Sequence, residues 1–301
     1  MPFLHHPEDS RLFQAETQKT FLPVETCLVA GDFLPSGWYR DNVGWKGLLK
    51  SFLVISRTRR ESFLPQAGRQ PLIATDRFSN GYFHWVTETL PRLWWLKDQL
   101  IHFELLLPAF AQRFSYMEES LALFPDLAVR TIDSRTRWRL EEALLVPAVA
   151  PGGNYRPLLV KELGDAWRRK VPAKAPFRKL YISRSRAARR RITKEAEVIK
   201  VLEARGFETV HLEGRTFSDQ VQLLAETSHL LSNHGAGLTN MLFMLPGTKV
   251  TEIRLRGDCH NNCYFSLARA LDLDYDYRLG DPADSRGAHR GDLLVDAEGL
   301  L

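Results

Sequence analysis

His229-Leu230-Leu231-Ser232-Asn233-His234-Gly235-Ala236-Gly237-Leu238-Thr239-Asn240-Met241-Leu242-Phe243-Met244, followed by Pro246-Gly247 and the alternating run Lys249 to Leu255, changes character three times in 27 residues. A short apolar run reads as a strand at His229 to Ser232. A turn with two glycines leads into a helix over Gly237 to Met244, Pro246-Gly247 stops it, and Lys249 to Leu255 is the next strand. Upstream the rhythm is the same. Lys179 to Ser183 is a strand, Thr193 caps a helix ending at Gly206, Phe207 to Leu212 is a strand, and Ser218 caps a helix running to about Glu226. The order β-α-β-α-β-α-β predicts a doubly wound α/β domain.

Further out, Val171-Pro172-Ala173-Lys174-Ala175-Pro176 carries two prolines that forbid a continuing helix, so the domain boundary is expected near 174, giving domains 1–174 and 175–301. Gly31, Pro35, Gly37, Gly44 and Gly47 make residues 1–50 a loop-rich preface. Apolar runs at 52–55, 71–74, 103–107, 128–132 and 143–146 read as strands around helices at 81–99 and 112–124, and Pro157 opens another helix. Short apolar strands between helices predict a second, largely parallel sheet.

Composition excludes several classes. The 301 residues suit about two domains at the usual ~150 each. A chain 44% hydrophobic, 26% charged and 11% aromatic is neither mainly disordered, collagen-like nor a disulfide scaffold. Three cysteines, Cys27, Cys259 and Cys263, cannot all pair, and no apolar run approaches the ~20 residues of a membrane helix. The expectation is a soluble, cytoplasmic protein, with Leu93-Trp94-Trp95-Leu96 packed in a core rather than lying on a membrane surface.

Three groups of residues carry chemistry. The turn His234, Gly235, Ala236, Gly237, Leu238, Thr239 and Asn240 joins a strand to a helix, where small residues admit an anion to free backbone N–H groups; its bland reading is a tight turn. Between Arg178 and Lys194 stand eight basic residues and no acid before Glu195. Such a run is usually a solvated face, but Arg184 follows a strand at the carboxyl edge of the sheet, where a guanidinium meets a phosphate bidentately. His84 and Glu88 lie one helical turn apart, an imidazole and a carboxylate suited to general base chemistry or merely to each other, and Pro91 is expected to kink their helix. Glu252 and Glu213 fall at or near strands of the second domain, where a carboxylate can accept hydrogen bonds from ribose hydroxyls; a surface salt bridge suits Glu213 equally. Cys259-His260-x-x-Cys263 lacks a fourth ligand, so no structural zinc is expected.

Gly81-Tyr82-Phe83-His84-Trp85-Val86-Thr87-Glu88-Thr89-Leu90-Pro91-Arg92-Leu93, then Leu180-Tyr181-Ile182-Ser183-Arg184 with Arg189-Arg190-Arg191-Ile192, then His234 to Asn240 with Pro246-Gly247 and Val250-Thr251-Glu252, together resemble glycosyltransferase family 61 over about 80–280. That resemblance implies a GT-B-like α/β fold, two Rossmann-like doubly wound domains facing a cleft, with the donor held mainly by the second and inversion at the anomeric carbon. It implies a nucleotide-diphosphate sugar as co-substrate, a glycan or lipid-linked glycan acceptor in surface or capsular polysaccharide synthesis, and contact with a membrane periphery or an assembly complex. His84 is then the base, with Glu88 its partner or the base itself. Arg184, Arg189, the 234–240 turn and Glu252 hold the donor without cofactor or metal. Lys194 departs from the asparagine expected in many relatives. The rival readings are a nucleic-acid-binding protein built on 178–194, disfavoured because the aromatics form no stacking platform, and an inactive nucleotide-sugar-binding module.

Overall fold

A computed structural model describes residues 27–33, 59–76, 78–133, 136–149, 153–258, 262–287 and 290–300. The strand expected at 52–55, most of the 1–50 preface, and Cys259 and His260 lie outside the described residues. The chain forms two compact units that divide between Val149 and Ala150.

The first unit contains β1 (Cys27–Phe33), β2 (Arg59–Ser62), β3 (Gln70–Ile73), β4 (Phe103–Pro108), β5 (Ala128–Ile132) and β6 (Thr136–Leu145), ordered β1-β6-β3-β4-β5 with β2 also on β6. Only β1 runs antiparallel to its neighbour. All of β4 is buried, as a strand covered on both faces must be, and its apolar Phe103 to Leu107 made it legible. From β3 the strands follow in sequence through β4 to β5, and the chain then returns to the other side of β3 as β6, with no helix between β5 and β6.

Between β3 and β4 a continuous helical segment runs as an α turn at Tyr82–His84, a π turn at Trp85–Thr89 and an α-helix at Leu90–Trp95. The expected kink takes the form of that π turn. Pro91 has no N–H to give and its ring crowds the preceding turn, and widening the helix by one residue, with the Leu90 N–H reaching Trp85 O, relieves the clash. Trp85, Val86, Leu90 and Leu93 are fully enclosed, and Trp85 Nε1 donates to Ser120 Oγ at 2.8 Å, docking the segment on helix Ser115–Leu121. Leu93 and Leu96 do pack inward, whereas Trp95 is 43% exposed. No helix among the described residues is long and apolar enough to cross a membrane.

The second unit contains β7 (Arg178–Ile182), β8 (Phe207–Val210), β9 (Thr227–Asn233), β10 (Lys249–Leu255), β11 (Asp274–Pro282) and β12 (Leu293–Leu294), ordered β8-β7-β9-β10-β11-β12. All pairs are parallel except β11 with β12. Helix Glu195–Ala204 sends Val198 and Leu202 onto Tyr181, Leu231 and Ile253 of one face. The opposite face carries Ile182, against which Gly237 sits, and helices Pro157–Arg168 and Phe217–Ala225 close over it with Trp167 and Phe217 ring centroids 4.9 Å apart. This unit is doubly wound.

Several expectations need correcting. Helix Pro157–Arg168 lies before the 171–176 linker yet belongs to the second unit: Arg168 Nη1 donates to Met244 O at 2.8 Å, and Gly164 is pressed on the Leu242 carbonyl. The division therefore falls near 150, and the double-proline stretch is a connection within the second unit. The caps are Thr216, whose hydroxyl accepts from the Asp219 N–H at 3.0 Å, and Lys194, rather than Ser218 and Thr193. The Ala236–Phe243 segment is a 3-10 helix. The aspartate-rich stretch from Asp272 to Asp296 supplies β11 and β12.

Candidate functional site

Counted within its own unit, the second sheet has the strand order 2-1-3-4-5-6. The chain leaves in opposite directions from β7 and β9, and in open α/β sheets such a switch point, at the carboxyl ends of the strands, is where ligands bind. Arg184 follows β7 and His234-Gly235 follow β9.

The Arg184 guanidinium lies directly on Gly235. A Cβ there would sit 2.6 Å from Arg184 Cζ and 3.1 Å from Nε, so no side chain fits while the arginine keeps its place. Arg184 Nη2 donates to the Arg189 carbonyl at 3.3 Å, and its Nε is buried with no hydrogen-bond partner. Arg190, in the left-handed region at φ 56°, likewise buries an Nε without a partner. Burial lowers the proton affinity of both guanidiniums, and the repulsion of Arg190 and Arg189 lowers that of Arg184 further. Two partly buried cations with unspent donors, side by side, form a site for an anion.

The basic run is thus not one face. Arg184 and Arg190 turn inward. Arg191 Nη2 is bound to Asp292 at 3.1 Å, and Arg178 is spent on Glu226 and Glu208. Arg189, expected to hold donor, is exposed and contributes its carbonyl to placing Arg184. Arg190 was missed because nothing in Arg189-Arg190-Arg191 marks the middle residue. The signal lies in Ile192, which is buried beside Leu293 and turns the run.

Within the 234–240 turn the side chains divide. Leu238, Thr239 and Asn240 are buried, and Asn240 Nδ2 donates to Gly237 O at 3.1 Å, fixing the loop from inside. Gly235 and Gly237 are required by close approach: a Cβ on Gly237 would meet Ile182 Cγ2 at 3.1 Å. Ala236 and Gly237 are partly exposed. Glu252 is corrected as a ribose ligand. It is wholly enclosed, one oxygen bound to His234 Nδ1 and the other accepting from the Tyr275 hydroxyl. Burial pushes its carboxyl up, but His234 and Arg254 outweigh that and hold it below the usual range. Glu213 is exposed and lies within electrostatic reach of Arg184.

In the first unit His84 Nδ1 is 3.1 Å from Glu88 Oε2, an ion-pair distance without hydrogen-bond alignment. The π turn places the buried Glu88 behind a partly exposed imidazole, on which the Phe78 ring stacks at 5.1 Å. Beneath them Arg92 donates to Ala74 O at 2.7 Å and to Asp76 at 2.8 Å, tying the helix to the end of β3.

By geometry the second unit is an open α/β domain with two inward-facing arginines, Arg184 and Arg190, at its switch point. The model of the family described as Glycosyltransferase 61 matches residues 82–251, more than half of the sequence, and the chain belongs to that family. A stretch of 115 residues is 33% identical to the EGF domain-specific O-linked N-acetylglucosamine transferase of Drosophila melanogaster, covering 36% of this chain and 21% of that protein. Another of 100 residues is 38% identical to the human protein O-linked-mannose beta-1,4-N-acetylglucosaminyltransferase 2, covering 31% of this chain and 17% of the relative. The chain thus spans far less than two thirds of either relative.

Proposed function

We propose that the protein is an inverting glycosyltransferase, of GT-B-like organisation, that moves a sugar from a nucleotide-diphosphate donor to a glycan hydroxyl. The observation that carries this reading is Arg184 lying on Gly235 at the switch point, with Arg190 beside it. A departing diphosphate needs charge already in place, and two guanidiniums with unspent N–H groups provide it. They also take the part a divalent ion would otherwise play, so turnover is expected without metal.

Inversion by direct displacement further needs a base for the acceptor proton. His84, partly exposed with a carboxylate behind it, suits that role, and Glu88 orients it. The names of the relatives support an N-acetylglucosamine unit as the first sugar to test. A nucleic-acid reading loses its footing because the basic run is divided between inward arginines and internal ion pairs.

The test is thermal stabilisation by UDP-, GDP-, CMP- and dTDP-sugars, with and without EDTA, for the wild type and Arg184→Ala. A ligand that binds only the native state raises its apparent stability. A shift with one nucleotide class that survives EDTA and vanishes in Arg184→Ala is expected; no shift with any sugar, alongside salt-sensitive binding to nucleic acid, overturns the reading.

A further inference from the structure

Arg190 turns inward at a backbone cost. Its φ of 56° is a conformation in which the Cβ of an L-residue crowds the following carbonyl, and such a residue persists only where its surroundings hold it there. The peptide that joins it to Arg191 is held at both ends. Its carbonyl accepts from Asn233 Nδ2, at the end of β9, and its N–H donates at 2.8 Å to Asp292 Oδ1, a carboxylate 101 positions further along the chain.

Asp292 is itself anchored from several sides. Its N–H donates to Asp284 Oδ2 at 2.9 Å, and its Oδ2 lies 3.1 Å from Arg191 Nη2 and 2.9 Å from Arg286 Nη2. The next residue, Leu293 of β12, donates to Arg191 O at 2.8 Å and accepts from the Thr193 N–H at 2.7 Å, so the same stretch is gripped on both sides of Ile192. Burial pushes the Asp292 carboxyl up, but the Arg191 N–H and guanidinium and then Arg286 outweigh it and hold it below the usual range. Neither guanidinium on Asp292 is that of Arg190, whose Nε is buried without a hydrogen-bond partner. The carboxylate therefore fixes the backbone of Arg190 and leaves its N–H groups for another anion.

We propose that Asp292 is a positioning residue of the donor site: by holding the N–H of the 190–191 peptide opposite Asn233, it keeps Arg190 in its left-handed conformation with the guanidinium turned toward the diphosphate, while touching no ligand itself. The inference rests on the donor reading above. Turning that peptide over would set the carboxylate against a carbonyl oxygen and the Asn233 amide N–H against another N–H, leaving four polar groups unsatisfied. The loop between β11 and β12 thus serves the donor site although it lies beyond the last parallel strand of the sheet.

Calorimetric titration with UDP-N-acetylglucosamine, GDP-mannose and dTDP-rhamnose, at a temperature where every variant is folded, tests this through a double-mutant cycle. With whichever probe binds the wild type, Arg190→Ala and Asp292→Ala should each weaken binding about tenfold, and Asp292→Ala should weaken it no further once Arg190 is alanine. Glu298→Gln, which breaks the ion pair with Arg205 elsewhere in this unit, should bind like the wild type. An equal loss from Asp292→Ala in both backgrounds marks a merely structural residue and overturns the inference, as does wild-type binding by either single variant; Arg184 and the donor reading then stand. Should Asp292→Ala fail to fold, Asp292→Asn decides. It keeps an oxygen for the Arg191 N–H and gives up two partly exposed ion pairs, so affinity within about threefold of the wild type is expected and a tenfold loss overturns the inference. No binding of any probe to the wild type overturns the donor reading as well.

Discussion

The guanidinium of Arg184 occupies the space that a side chain at position 235 would need, and the two residues come from different strands, β7 and β9. Gly235 is not there for backbone freedom: its φ of 169° is extended and open to any residue. It is glycine because the arginine is there.

Gly235→Ala should therefore cost binding rather than folding. The obstructed atoms are the far end of a flexible side chain, which swings away, so a stability change within about 1 kcal/mol is expected while donor-induced stabilisation falls to that of Arg184→Ala. Gly164→Ala is the contrast. Its Cβ would strike the backbone carbonyl of Leu242, which cannot swing, and a loss of about 1–3 kcal/mol in a denaturant melt is expected. Equal behaviour of the two variants would remove the argument.

If His84 is the proposed base, replacing it by alanine should lower transfer by about 10²- to 10⁴-fold while nucleotide-sugar binding is retained, since the proposed donor residues belong to the other unit. Glu88→Gln, which preserves shape behind the ring, should cost less. Kinetics with a saturating donor and separate binding measurements distinguish a lost base from a lost fold.

Lys194 holds φ 59° and ψ 36° at the start of helix Glu195–Ala204, a left-handed conformation that asparagine tolerates better, and asparagine also caps helices where lysine does not. Lys194→Asn should raise stability by about 0.5–1 kcal/mol, read as a higher denaturant midpoint at unchanged slope. A lower midpoint would show that the lysine side chain contributes at this turn.

Glu226, buried at the end of helix Phe217–Ala225, is held down to about 2 by hydrogen bonds from Arg178, against the opposing effect of burial, with Lys174 3.0 Å away assisting. Its folded-state affinity for a proton is below the unfolded one, so its contribution is full above pH ~4.5 and is lost as pH falls toward 2, on the order of 2–3 kcal/mol. Acid titration of stability should show this limb in the wild type and a much reduced one in Glu226→Gln, which is already weakened at pH 7.

The second unit was legible where apolar runs end at strong punctuation. Lys249 to Leu255 is a strand throughout, and Pro157 opens its helix because a proline at the first turn leaves no donor unpaired. The carboxyl-edge position of Arg184 followed from that pattern alone. The boundary did not, because two prolines mark a bend in the chain and not which core the preceding helix joins; that depended on Arg168 reaching Met244. The C-terminal strands were hidden for a related reason. Aspartates are common in solvated loops, but β11, paired with β12 only at Asp281 and Pro282, keeps such side chains partly exposed while its backbone pairs with β10.

By itself the sequence determined the α/β class, most strands, the place of the glycine turn and the charges available to it, because periodicity and punctuation act over a few residues. Only tertiary structure decided which charges meet. Arg184 and Arg190 face one site while Arg191 is tied to Asp292, and Glu252 is sealed beneath His234 rather than open to a ligand, since these outcomes depend on the strand order that sets 184, 190, 234 and 252 side by side. Residues some 50 to 70 positions apart become neighbours through sheet hydrogen bonding, and no local pattern records which of several like charges the fold will bury.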